Sequence, residues 1–378
     1  MENCCNAIKI IPVSYRDKHF DTFLQLPWKI YAGDPNWVPP LFAQMKGLLN
    51  PKKNPFFRHS EAQLFLAMKG NEPAGRIAAI INRQHNTYYR DQTGFFGLFE
   101  AIDDTHVAAA LFETTREWIQ SRSMKVLRGP MNLSTNDECG LLIKGFEHKP
   151  YVMMTYNPPY YAQLLESCGF AKAKDLYAYY LDASAPLAAP LVQMAEAIRQ
   201  KERAVIREIN LKKFDEEVQR VRHIYNDAWS RNWGFVPMTE EEFAYKSAEL
   251  KQIIEPSLAF VVEVDKAPVG FGLTIPNAND LLIHLNGRLF PFGFLKFFRK
   301  WKYIKSMRAI TLGMVQEYQK KGLGVLCYVE MMQRAQKLGC ARGEMSWILE
   351  DNEPVNKAVR QLGGTLYKEY RIYDRPLI

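Results

Sequence analysis

The chain alternates short apolar runs with turn residues in a pattern that repeats. "AQLFLAM" (62–68) and "RIAAII" (76–81) flank the turn "NEPAG", and "LAFVVEV" (258–264) and "FGLTI" (271–275) flank "KAPVG". Each pair predicts a β-hairpin, because runs of this length bounded by Gly and Pro suit two paired strands. Helical spacing takes over in "THVAAALFETTREW" and in "GVLCYVEMMQRAQKLG" (324–339), the second closed by a glycine. Aromatic strands follow in "DLYAYYL" (175–181) and "LYKEYRIY" (366–373).

The matching segments share one spacing. Pro73 and Pro268 are 195 positions apart, as are Asn157 and Asn352, in "YNPPYYAQLLESCGF" and "DNEPVNKAVRQLGG". "GDPNWVPP" (33–40) and "SRNWGFVP" (230–237) echo each other at nearly the same offset, each after an amphipathic helix. A repeat of this length predicts two tandem α+β units, each a mostly antiparallel mixed sheet flanked by helices. The boundaries read as 1–183 for the first unit, 184–203 for a linker and connecting helix, and 204–378 for the second. The linker begins at the Ala- and Pro-rich "DASAPLAAP".

Composition narrows the function. A chain of 378 residues with 47% hydrophobic and 24% charged residues is globular and long enough for two cores. Its net charge of +8 favours anionic partners. The start "MENCCNAIKI" lacks the apolar core of a secretory signal, and no run of about 20 apolar residues exists, so a cytoplasmic protein is expected. Six scattered cysteines without C-x-x-C spacing suggest reduced thiols, with neither a metal site nor a disulfide framework.

The chemistry gathers at "YQKKGLG" (318–324), between the strand "AITLGMV" (309–315) and the helix after it. A helix N-terminus with unpaired amides and a positive dipole favours a phosphate. Gly322 and Gly324 would let the main chain approach it, and Lys320 and Lys321 add charge. Taken alone, the stretch reads equally well as an ordinary strand–helix turn.

The pattern Q-x-x-G-x-G after a strand, then a helix, a strand and "NEPVNKA" (352–358), resembles the GNAT acyltransferase superfamily. The resemblance covers Leu258–Tyr373. It implies that Gln319, Lys320, Lys321, Gly322, Leu323 and Gly324 hold the pyrophosphate of acyl-CoA. It also implies that Met314 and Val315 offer main-chain groups to pantetheine, that two central strands splay to admit it, and that Asn352 is the motif asparagine. The first unit has Asp103 and Asp104 in place of the glycine turn, which would repel an anion, so one donor per chain is expected.

Catalytic groups are harder to place. The positions where the family often carries a tyrosine and a glutamate are Val359 and Trp347. Replacements are sought in "GPMNLSTNDECG" (129–140), where Asp137 and Glu138 could accept a proton, and at His284. A surface loop and a structural histidine are the plainer readings. Tyr156, Asn157, Tyr225, Trp229, Asn232 and Trp233 are candidates for binding the acceptor, or are core.

The second unit carries about 21 extra residues, "LNGRLFPFGFLKFFRKWKYIKSM" (285–307), which interleave rings with Lys and Arg. Such a segment suits a lid over the core or an interfacial contact with an anionic membrane surface. A phosphorylated donor and no RNA-binding signature argue against nucleic acid. The doubled arrangement with this insertion resembles the bacterial acyltransferases that include bacterial ceramide synthases. That implies N-acylation of an amine on a lipid-like acceptor such as a sphingoid base, at the inner face of the membrane. A soluble amino acid, aminoacyl or peptide acceptor, or a non-catalytic acyl-CoA-binding module, remain alternatives.

Overall fold

The computed structural model describes residues 7–289, 293, 295, 297 and 304–377. They fall into two compact units. Unit 1 comprises Met1–Leu176, Leu281–Phe297 and Lys368–Ile378, and unit 2 comprises Tyr177–Asp280 and Phe298–Tyr367.

In unit 1 the chain lays down β1 (Ile8–Val13), β2 (Glu61–Lys69), β3 (Glu72–Ile81), β4 (Thr93–Ala101), β5 (Val126–Gly129), β6 (Leu141–Lys144) and the first half of β7 (Ala171–Asp182). The predicted hairpin is present, but its turn is Gly70–Asn71 and the rest of "NEPAG" already belongs to β3: Lys69 faces Glu72 across a two-residue turn, and Gly70 takes the positive φ of 60° that such a turn requires. β1 to β4 are antiparallel neighbours, and β4 pairs with β5 in parallel. The helix Thr105–Gln120 packs its apolar stripe of Val107, Leu111, Phe112 and Ile119 on this sheet, opposite Phe65, Ile77 and Phe96. Its N-terminus is capped by Asp104, which accepts from the amides of His106 and Val107.

Unit 2 repeats the plan with the second half of β7, β8 (Ala204–Glu208), β9 (Ala259–Val264), β10 (Ala267–Pro276), β11 (Ser306–Met314), β12 (Arg342–Leu349) and the first three residues of β13 (Thr365–Pro376). The hydrogen-bonded order is β7-β12-β11-β10-β9-β8, with β11 and β12 parallel. The helix Leu323–Lys337 covers Phe260, Val262 and Met314 and ends at Gly339, whose φ of 71° is the left-handed cap read from the sequence. The connecting helix Ala189–Lys201 packs beside it, with Arg199 bonded to Glu330 at 2.9 Å.

One feature is invisible in the repeat. The closing strand of each half is shared between the units. β7 passes into unit 2 at Tyr177, whereas β13 passes into unit 1 at Lys368 and there lies antiparallel to β5, Tyr373 facing Gly129. Among the described residues, Cys168, Cys327 and Cys340 are free thiols, and no helix is long and apolar enough to cross a membrane.

Candidate active site

The opening that a threaded ligand needs is present in unit 2. β11 and β12 pair only from Ser306 with Arg342 to Ala309 with Met345, and beyond that they part. β11 also carries a bulge, since Leu273 faces Thr311 and Thr274 faces Ala309, leaving Ile310 unopposed. A bulge shifts the alternation of side chains. Ala309 and Leu312 therefore both pack under the helix Leu323–Lys337, while Gly313 lies against the ring of Trp229 on the other face. The closed end of the splay is held by a buried group. Arg308 donates to Ser346 Oγ at 3.0 Å and Ser346 O at 3.2 Å and stands 3.6 Å from Glu344, which also accepts from Ser346 and Tyr367.

At the open end, the glycine turn is bolted in place. The Gln316 amide donates to Asp227 Oδ2 at 2.7 Å, and its side chain to Ser230 Oγ at 2.7 Å. Gln319 donates to Met314 O and Ala228 O, so it fixes the turn to β11 and to the helix Phe214–Ala228. Lys321 lies 3.8 Å above the Tyr318 ring, and Lys320 is exposed. The two glycines have different tasks. Gly322 has φ 80° and a would-be Cβ only 3.1 Å from Ile198, so it makes the turn. Gly324 has nothing within 4 Å of its would-be Cβ. It leaves open space over the first helical turn, where the first amides of a helix lack i−4 partners, although Val325 N already donates to Gly322 O at 3.0 Å. That cradle and the adjacent lysines fit an anionic phosphate. Leu323 is buried in the core beneath and anchors the helix start. The main-chain groups of Val315 are already engaged, its N–H with Val269 O and its C=O with Tyr318 N. Asn352 caps the helix Glu353–Gln361 by accepting from Val355 N.

In unit 1 the corresponding gap is filled by the chain itself. β4 and β5 part after Phe95 and Arg128, and the segment after β5 enters: Met131 N donates to Phe96 O at 2.8 Å, and Asn132 Oδ1 accepts from Leu98 N at 2.9 Å. A Cβ at Gly97 would lie 2.0 Å from Met131 O, which is why that strand position is glycine. Lys69 pairs with Asp104 at 2.8 Å, so the helix N-terminus already holds a carboxylate. A segment of the chain's own backbone and a protein anion thus stand where unit 2 is open.

The acidic loop belongs to this filling. Asp137 accepts from Ser134 Oγ at 2.8 Å, and Glu138 takes Asn132 N on its carbonyl and Asn132 Nδ2 on its carboxylate at 3.5 Å. Both side chains are half-buried, whereas His284 is exposed on the same unit. Asn157 is buried, and its amide bridges both main-chain groups of Leu142, a supporting task. Tyr156 donates to Asp34 at 2.9 Å, and burial with that carboxylate pushes its pKa up to about 12. In unit 2, Tyr225 and Trp229 stack at 4.7 Å, and Trp229 covers Gly313 and Phe271. Asn232 turns the chain after Trp229, and Trp233 is half-buried beside it.

The root of the insertion is held in unit 1. Trp28 donates to Asn286 Oδ1 at 2.6 Å, Phe42 N donates to Gly287 O, and Arg288 lies over the Phe42 ring. Gly287 has φ 75°, and a side chain there would strike Trp28. The rings and cations at Phe290, Phe292, Phe294, Lys296, Phe298, Arg299, Lys300, Trp301, Lys302 and Tyr303 lie outside the described residues.

No family model matches the chain. It is 37% identical over 378 residues to a protein of Caulobacter vibrioides named bacterial ceramide synthase, covering 98% of both chains. It is also 37% identical over 362 residues to protein YghO of Escherichia coli, covering 94% of this chain and 92% of that one. Among solved structures, a tandem GNAT protein from the clavulanic acid biosynthesis pathway matches with a TM-score of 0.58 at 12% identity, over 98% of this chain and 99% of that one. That likeness establishes the tandem GNAT fold.

Proposed function

We infer, from the premise that this chain belongs to the family of the bacterial ceramide synthase and YghO and is an N-acyltransferase of tandem GNAT fold, that it moves the acyl group of acyl-CoA to the amine of a lipid-like acceptor such as a sphingoid base. The observation that supports the donor is the open splay of unit 2 beside Gly324, set against the filled splay of unit 1. One donor per chain follows. The acceptor rests on the name of the relative and on the ring-and-cation insertion.

In the reaction the amine nitrogen forms a bond to the thioester carbonyl carbon, the C–S bond breaks, and the thiol leaves with the proton the amine gives up. This chain binds and orients the donor. The turn 319–324 holds phosphate, and Gln319 and Gln316 keep that turn rigid. The peripheral-membrane and cytoplasmic placement belongs to the same proposal.

The purified protein, given a long-chain acyl-CoA and a sphingoid base in vesicles, should release one thiol per N-acyl product seen by mass spectrometry. It should use an amino acid or short peptide at least about tenfold less well. Turnover confined to soluble amines would transfer the proposal to those acceptors, and no thiol release with any amine would remove the donor.

For the proton, Asp137 and Glu138 stay the candidates and His284 the reserve. Asp137→Asn or Glu138→Gln should cut turnover by about 10²–10⁴-fold with acyl-CoA affinity retained, and His284→Gln should do less. Mild and equal losses in all three would mean that the amine arrives already neutral.

A further inference from the structure

Unit 2 contains a small apolar cavity of about 40 Å³ between its sheet and the helix Leu323–Lys337. Its walls include Met307 of β11, Gly343 and Met345 of β12, Met331 and Met332 of the helix, and Thr274 of β10. Met307, Gly343 and Met345 belong to the stretch where β11 and β12 are still paired. The cavity therefore lies at the closed end of the splay, on the face roofed by the same helix whose N-terminus carries the glycine turn. Thr274 is 5% exposed, and its hydroxyl has no hydrogen-bond partner. A buried orphan hydroxyl on an apolar wall marks a place where the protein's own packing is incomplete.

We propose that this cavity receives the distal part of the donor's acyl chain and sets its length; the proposal rests on the acyl-CoA reading above. A chain carried on a thioester in the splay has two ways to go, outward to water or inward past the paired ends of the strands. Inward, each methylene that leaves water gains roughly fourfold in affinity. The cavity as it stands holds little more than one water, whose share of liquid is about 30 Å³. The wall must therefore yield, and methionine is the residue that yields. Its side chain is unbranched, with three rotatable bonds and a soft sulfur, so it refits around a variable guest at small cost. Four methionines around one void form an adjustable seat, where leucine or isoleucine would form a rigid one.

Gly343 allows a clean test. A Cβ there meets only ordinary contacts, 3.8 Å from Met307 O and 3.9 Å from Leu181, so Gly343→Val narrows the void without a backbone clash. The experiment measures kcat/KM for C4, C8, C12 and C16 acyl-CoA with one amine acceptor. In Gly343→Val the C16-to-C4 ratio should fall by at least about tenfold, the worth of two or more methylenes. In Met331→Ala, which enlarges the seat from the helix side, the optimum should move to longer chains. If Gly343→Val does not fold, the shift in Met331→Ala decides alone. Ratios within twofold of the unchanged protein in the folded variants would overturn the seat while leaving the donor in place. No binding or thiol release with any acyl-CoA, even in the unchanged protein, would overturn the donor reading and this inference with it.

Discussion

Gly324→Val should abolish productive donor binding while the protein stays folded. Its would-be Cβ meets nothing within 4 Å, so the fold has no objection to a side chain there. Valine is also no worse than glycine within a helix, because glycine carries the larger backbone entropy cost. The isopropyl group would stand over the first helical turn, between its amides and any phosphate. Losing two charge-assisted hydrogen bonds of about 1.5 kcal/mol or more each predicts a fall in acyl-CoA affinity of about 100-fold or greater. Calorimetric titration against short-chain acyl-CoA, with circular dichroism as the control for folding, checks it. Unchanged affinity in a folded variant would place the donor elsewhere. Gly322 is the poorer probe, since its φ of 80° strains any L-residue and a loss there mixes folding with binding. In unit 1, Asp104→Asn should leave donor affinity untouched, because that helix N-terminus sits beside a splay already filled by Met131 and Asn132.

Arg308→Met should cost unit 2 about 3–5 kcal/mol of stability, the usual consequence of leaving one buried charge without its partner. Arg308 is 2% exposed and Glu344 1%, and the two face each other across β11 and β12 in the last paired stretch before the splay. Removing the guanidinium takes away the cation 3.6 Å from Glu344 and leaves Ser346 and Tyr367 as its hydrogen-bond donors. Chemical denaturation of the single and double variants tests this. Arg308→Met with Glu344→Gln should recover much of the loss, because no charge is then buried unpaired. A double variant as unstable as the single would mean that the arginine acts through packing alone.

The candidate catalytic groups were the least legible part. "GPMNLSTNDECG" gathers Asn, Ser, Asp and Glu as an active-site loop would, yet the same residues build turns. The structure shows Asn132, Ser134, Asp137 and Glu138 bonding to one another while the segment pairs with β4. A segment that fills a gap between two strands of its own unit has no signal of its own in composition or spacing. Gly97 was its one trace, a glycine inside an apolar strand where another backbone approaches closely.

The sequence by itself determined the two-fold repeat, the hairpins, the helix end at Gly339 and the glycine turn between strand and helix at 318–324. These are set by contacts between near neighbours: alternation of apolar residues, glycines needed for positive φ, and amides left over at a helix start. Only the tertiary structure decided the rest. It exchanged β7 and β13 between the units, closed one splay with Met131 and Asn132, left the other open, and gave Gly322 the turn and Gly324 the open face. The reason is physical. β7 and β13 are equivalent aromatic strands of 12 residues each, so either could complete either sheet by its own pattern. Which sheet each completes depends on pairings between residues more than two hundred positions apart, such as Tyr373 with Gly129, and the local pattern carries no record of them.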